Sequence, residues 1–196
     1  MQTGRPRSVL WIWLGFAAAA VVLVVVIVAL GGRPSGSSAA PAAGPVTADT
    51  SGGYSVLVAR ANGLYDQGIA AFNKKDNAGG TAAFKAAAEV YGAAWKKQPG
   101  DPSVGTDYAV SYFYSGQTDK ALRQIDVVIG KSPDFQTAYL NKGIFLKTAA
   151  NDAKVNGDTK KGAELLSQAK LTLQKAVGMD PASDAGKKAA TQLQGL

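Results

Sequence analysis

Neither cysteine nor histidine occurs in this chain, so few of its side chains could do covalent or acid–base chemistry near neutral pH. Without thiols there is no disulfide framework, no thiolate metal site and no sulfur nucleophile. Without imidazole the usual general base and the commonest metal ligand are both missing. The serines and lysines that remain show no catalytic Ser–Lys spacing, and no Walker loop, dinucleotide glycine pattern or HExxH is present. Gly79-Gly80 reads as a loop or helix break rather than a phosphate cradle. The residues therefore point to no catalytic site, no metal and no cofactor. The chemistry within reach is recognition, through apolar, aromatic and lysine side chains.

Charge narrows the partner. The whole chain carries +7, and residues 54–196 hold 18 Lys/Arg against 13 Asp/Glu, a balance of +5. The lysines are scattered among acids and form only doublets: Lys74-Lys75, Lys96-Lys97, Lys160-Lys161 and Lys187-Lys188. Such a pattern is that of a solvated helical surface and predicts no nucleic-acid partner.

The elements that must carry this surface begin with an anchor. From Val9 to Leu30 there are 22 consecutive residues without a charge. As a helix they would be about 33 Å long, matching a hydrocarbon core of about 30 Å. In lipid the backbone must satisfy its own hydrogen bonds, which favours helix even for this valine-rich run. Trp11 and Trp13 lie near one end, where amphipathic rings favour the headgroups. Arg5, Arg7 and the terminal amine precede the segment and only Arg33 follows closely. The positive-inside rule thus predicts a cytoplasmic tail (1–8), a transmembrane helix (9–30) and a domain outside the cytoplasm. The alternative is a cleaved signal peptide, although the run exceeds the usual apolar core of such peptides. Residues 31–53, rich in Gly, Pro, Ser and Ala, predict a disordered tether.

Residues 54–196 read as a helical domain with internal repetition. Pro99, Pro133 and Pro181 each close a helical pattern, and the first two are 34 residues apart. Five and twelve positions before each proline stand small residues: Ala94 and Ala87, Val128 and Ala121, Ala176 and Ala169. Four residues after the earlier one comes a large apolar residue: Tyr91, Ile125 and Leu173. This spacing puts small and large side chains on one helix face, where small residues let neighbouring helices approach.

The central unit, 102–135, resembles the tetratricopeptide repeat family. Ala109, Tyr112, Gly116, Ala121, Ile125, Val128 and Pro133 fall on its signature positions. Gly105 departs from it where a tryptophan is usual, and Ala109 stands in place of a glycine. The resemblance implies an all-α array of about three helical hairpins (60–101, 102–135, 136–183) and a capping helix (184–195). The first and third units are longer than the second. The extra residues near 73–80 and 147–162 could lengthen the helices or form loops.

In this family the concave face is lined by the first helix of each hairpin. By position, the resemblance implies a partner-binding face of Tyr65, Ile69 and Phe72, then Thr106, Val110, Phe113 and Tyr114, then Leu140, Asn141, Ile144 and Lys147. An apolar, aromatic inventory with polar handles suits an extended or helical peptide. The same side chains could instead pack against neighbouring helices. Thr106 and Val110 occupy two positions of the family's clamp for chaperone C-terminal carboxylates, so that specificity is not expected.

The expectation is a single-pass protein of a bacterial plasma membrane, binding a protein or peptide in the cell envelope. The alternative is a structural or assembly-factor subunit of a membrane complex, holdase-like in action. Stacking of arrays also leaves self-association open.

Overall fold

The computed structural model of the chain describes residues 46–196. The predicted tail, transmembrane helix and first part of the tether lie outside the described residues. Among the described residues the fold is all-helical, with seven α-helices and no strand. They are α1 (Tyr54–Asn73), α2 (Asn77–Lys97), α3 (Pro102–Tyr114), α4 (Thr118–Lys131), α5 (Gln136–Val155), α6 (Thr159–Met179) and α7 (Asp184–Gln194). None of them is long and apolar enough to cross a membrane.

Short polar residues start several of these helices. Asp76 accepts a hydrogen bond from the Gly79 N–H at 2.8 Å and caps α2. Asp101 accepts from Ser103 and Val104 at the head of α3, with Pro102 as its first residue. Asp158 caps α6 through Lys161, and Ser183 caps α7 through Gly186. Each such bond satisfies a donor that a helix start leaves unpaired. Within every hairpin the chain reverses through one left-handed residue: Lys75 (φ 62°), Gly116 (φ 78°) and Gly157 (φ 86°).

The extra residues of the outer units lengthen helices. Both α1 and α5 have 20 residues and both α2 and α6 have 21, against 13 and 14 for α3 and α4. Gly79 and Gly80, read from the sequence as a loop or break, lie in the first turn of α2. Gly80 is there for contact: a Cβ on it would stand 2.5 Å from the Phe72 ring.

The molecule also repeats itself at a longer period. Tyr54, Asn73, Asn77, Lys97 and Pro102 bound α1, α2 and the start of α3; 82 residues on, Gln136, Val155, Thr159, Met179 and Asp184 bound α5, α6 and the start of α7. Leu64, Ala71, Asp76, Gly80, Ala87 and Ala94 recur as Leu146, Ala153, Asp158, Gly162, Ala169 and Ala176. A long-range bond recurs too. The Tyr54 hydroxyl donates to the Asp101 carboxylate at 2.7 Å, and Ser183 Oγ donates to Gln136 Oε1 at 2.7 Å.

Each helix packs on its neighbours in sequence, and α3–α5 and α5–α7 also touch. One core runs through the first two hairpins and reaches Phe145, with Phe84, Tyr91 and Phe145 wholly buried. Burial of each such ring is worth about 2–3 kcal/mol. A smaller core of Leu140, Ile144, Leu173, Ala176, Ala185 and Ala189 joins the third hairpin to α7. Gly105 sits under Trp95 and Val128; a Cβ there would meet them at 2.5 and 2.6 Å. The volume missing at Gly105 is thus filled by a tryptophan from the preceding helix.

Residues 46–53 have no regular structure, yet their last part is held to the domain. Arg60 pairs with the Asp49 carboxylate at 3.0 Å and donates to the carbonyls of Asp49 and Ser51.

Candidate protein-interaction surface

The second-neighbour contacts put the odd-numbered helices side by side in one layer. Side chains cross that layer at each step. Phe72 of α1 faces Tyr114 of α3 with ring centroids 6.0 Å apart. Phe113 of α3 stacks on Phe145 of α5 at 4.5 Å. Lys147 Nζ of α5 donates to Gln192 Oε1 of α7 at 3.4 Å.

Most of the side chains that sequence assigns to a partner-binding face lie inside this layer. Tyr65 and Ile69 are buried, Tyr65 edge-on against Phe84 at 5.0 Å. Thr106, Val110, Leu140, Asn141 and Ile144 are all under 5 % exposed. Phe72, Phe113, Tyr114 and Lys147 are half-buried and reach solvent. The inner layer therefore offers two phenyl rings, one phenol and one lysine, spread over α1, α3 and α5.

Polar atoms under this surface lack partners. Asn141 Nδ2 donates to the Thr137 carbonyl at 2.9 Å, but its Oδ1 has no hydrogen bond, nor has Thr106 Oγ1. The Tyr114 hydroxyl is likewise buried and unpaired, and burial pushes its ionisation well above the ordinary tyrosine value. Buried polar atoms without partners are uncommon in folded proteins. On α7, Lys188 Nζ is also buried with no hydrogen-bond partner, one turn before Gln192. The sequence reads Lys188 as one of a solvated lysine doublet and Gln192 as part of a capping helix, so it expects neither to be buried.

Comparison with known protein families finds none that matches this chain, and comparison with curated proteins finds no similar sequence. The reading of the surface therefore rests on its geometry. Among the described residues no three His, Cys, Asp or Glu side chains gather as a metal site would need. Two tyrosine hydroxyls on α3 engage each other: Tyr108 and Tyr112 share a hydrogen bond of 2.6 Å, and burial followed by that bond raises the ionisation of Tyr108.

Proposed function

We propose that the chain is a membrane-anchored protein-interaction scaffold of the tetratricopeptide kind, binding a peptide or protein partner in the cell envelope across α1, α3 and α5. The observation that carries this reading is the continuous inner layer, with Phe72, Phe113, Tyr114 and Lys147 at its surface. Aromatic anchors of this sort dominate protein recognition, and a lysine beside them adds orientation. The uncharged run 9–30 supports a single-pass anchor with residues 46–196 held outside the cytoplasm of a bacterial plasma membrane. No catalytic role is proposed.

Affinity purification of the full chain from detergent-solubilised cells tests the reading. Wild type and Val127→Asp, on the exposed side of α4, retain the same partner. Phe113→Asp and Lys147→Glu lose it while keeping their helical circular dichroism. Retention by Phe113→Asp and Lys147→Glu alike would refute the inner layer as the binding face.

A second reading, a structural or assembly-factor subunit, is favoured by Val155 and Leu171, which are 75 % and 64 % exposed. Permanent packing of α5 and α6 against a neighbour would cover them. Co-purification at fixed stoichiometry, lost in Leu171→Asp and kept in Phe113→Asp, would select this second reading.

A further inference from the structure

The 82-residue period sets one place in the first half against its counterpart in the second. In the first half, the seam between α1, α2 and α3 is filled by aromatic rings. Tyr114 stacks on Phe84 at 4.8 Å and faces Phe72 at 6.0 Å, while Tyr65 meets Phe84 edge-on. Eighty-two residues on, Tyr65, Phe72, Phe84 and Tyr114 become Lys147, Lys154, Leu166 and Leu196, and Ala88 becomes Lys170. The backbone setting is retained. Phe72 lies over Gly80, where a Cβ would meet its ring at 2.5 Å, and Lys154 lies over Gly162, where a Cβ would meet its Cγ at 2.5 Å.

The consequence is a seam that is not filled. Where Tyr114 closes the first half, the second half has an open depression of about 420 Å³, lined by Lys154, Leu166, Ser167, Lys170, Leu193 and Leu196. Its floor is aliphatic, and the two charged side chains that line it are both lysines. Neither Lys154 nor Lys170 has an ion-pair partner among the described residues. Beside it on α5, Lys147 makes only a long bond to Gln192.

We propose that this depression is a docking site for an acidic peptide segment that carries one large aromatic side chain. The aromatic ring fills the volume by which the Tyr114 ring exceeds its counterpart Leu196, beside Leu196 and over Leu166. Flanking carboxylates meet Lys154 and Lys170. Charge complementarity across such a rim governs which segment is accepted, and the apolar slot governs how well it is held. The proposal rests on the protein-binding reading above but places this contact at the α7 end of the array, away from Phe113.

The test uses the full chain in detergent and two fluorescein-labelled, end-blocked pentapeptides. One has tryptophan flanked on each side by two acidic residues; the other carries the corresponding amides. Fluorescence anisotropy is expected to show binding of the acidic peptide and at least tenfold weaker binding of the amide peptide. Lys154→Glu with Lys170→Glu lowers the affinity for the acidic peptide by roughly tenfold or more. Leu166→Phe with Leu196→Tyr rebuilds the first-half seam, so it keeps the helical circular dichroism and abolishes binding. Phe113→Asp leaves peptide affinity unchanged, which separates this site from the inner-layer reading. No binding, equal binding of both peptides, or indifference to the Lys154 and Lys170 changes would overturn the proposal. Self-association of the full chain that Leu166→Phe with Leu196→Tyr disperses would also overturn it, by making a second copy the occupant.

Discussion

Asp101 accepts from the N–H groups of Ser103 and Val104 and from the Tyr54 hydroxyl, so one carboxylate caps α3 and ties the first hairpin to the second. Asp101→Ala removes the cap and the tie together, and should cost roughly 1–2 kcal/mol in urea unfolding. The phenol of Tyr54 is pushed up to about 12, by burial first and then by the hydrogen bond and charge of Asp101. A raised value means that the folded chain favours the neutral phenol more than the unfolded chain does. That stabilisation is complete below pH 10 and is lost as pH rises through about 12. The urea midpoint should therefore fall between these limits, and less steeply in Tyr54→Phe. A midpoint independent of pH over that window would contradict the burial and bonding of Tyr54. Gly105 makes a steric prediction instead. Gly105→Leu forces a side chain into the space of Trp95 and Val128, and should destabilise by roughly 1–3 kcal/mol.

Among the elements, the three hairpin turns form a natural comparison. Each needs a left-handed residue, which glycine supplies at 116 and 157 and lysine at 75. Lys75→Gly should stabilise by about 1 kcal/mol or less, and Gly157→Ala should destabilise by roughly 1–2 kcal/mol, both read from thermal unfolding. Much of this element order was legible beforehand. Pro99, Pro133 and Pro181 with their paired small residues placed helices α2, α4 and α6, because small residues at helical spacing record close packing on one face. The greater length of the outer units was legible, but not whether their extra residues extend the helices or form loops. Polar stretches such as 73–80 and 151–158 carry little apolar periodicity, and the Asp76 and Asp158 caps decide where the helices restart. The 82-residue period was present in the separation of Pro99 from Pro181, but the shorter 34-residue spacing obscured it. The site was legible only in part. The family resemblance implies Val110, Leu140 and Ile144 on the partner-binding face, yet position in a repeat cannot tell an open face from one covered by the next hairpin. Val110 is buried in the core of the first two hairpins, and Leu140 and Ile144 in the core shared with α6 and α7, contacts that no local pattern encodes.

Across the described residues a long, a short and a long hairpin follow one another, with a lone α7 at the end. The two halves match in backbone and differ in what fills their seams: rings in the first, lysines and leucines in the second. Whether a partner is held on the inner layer, as proposed, is tested by site-specific photocrosslinking in living cells, with the photoreactive residue placed in turn at Phe72, Phe113 and Lys147, and at Val127 on α4. One protein is expected to be captured from all three inner positions and nothing from Val127. Capture from Val127 alone, or the same products from all four positions, would contradict it.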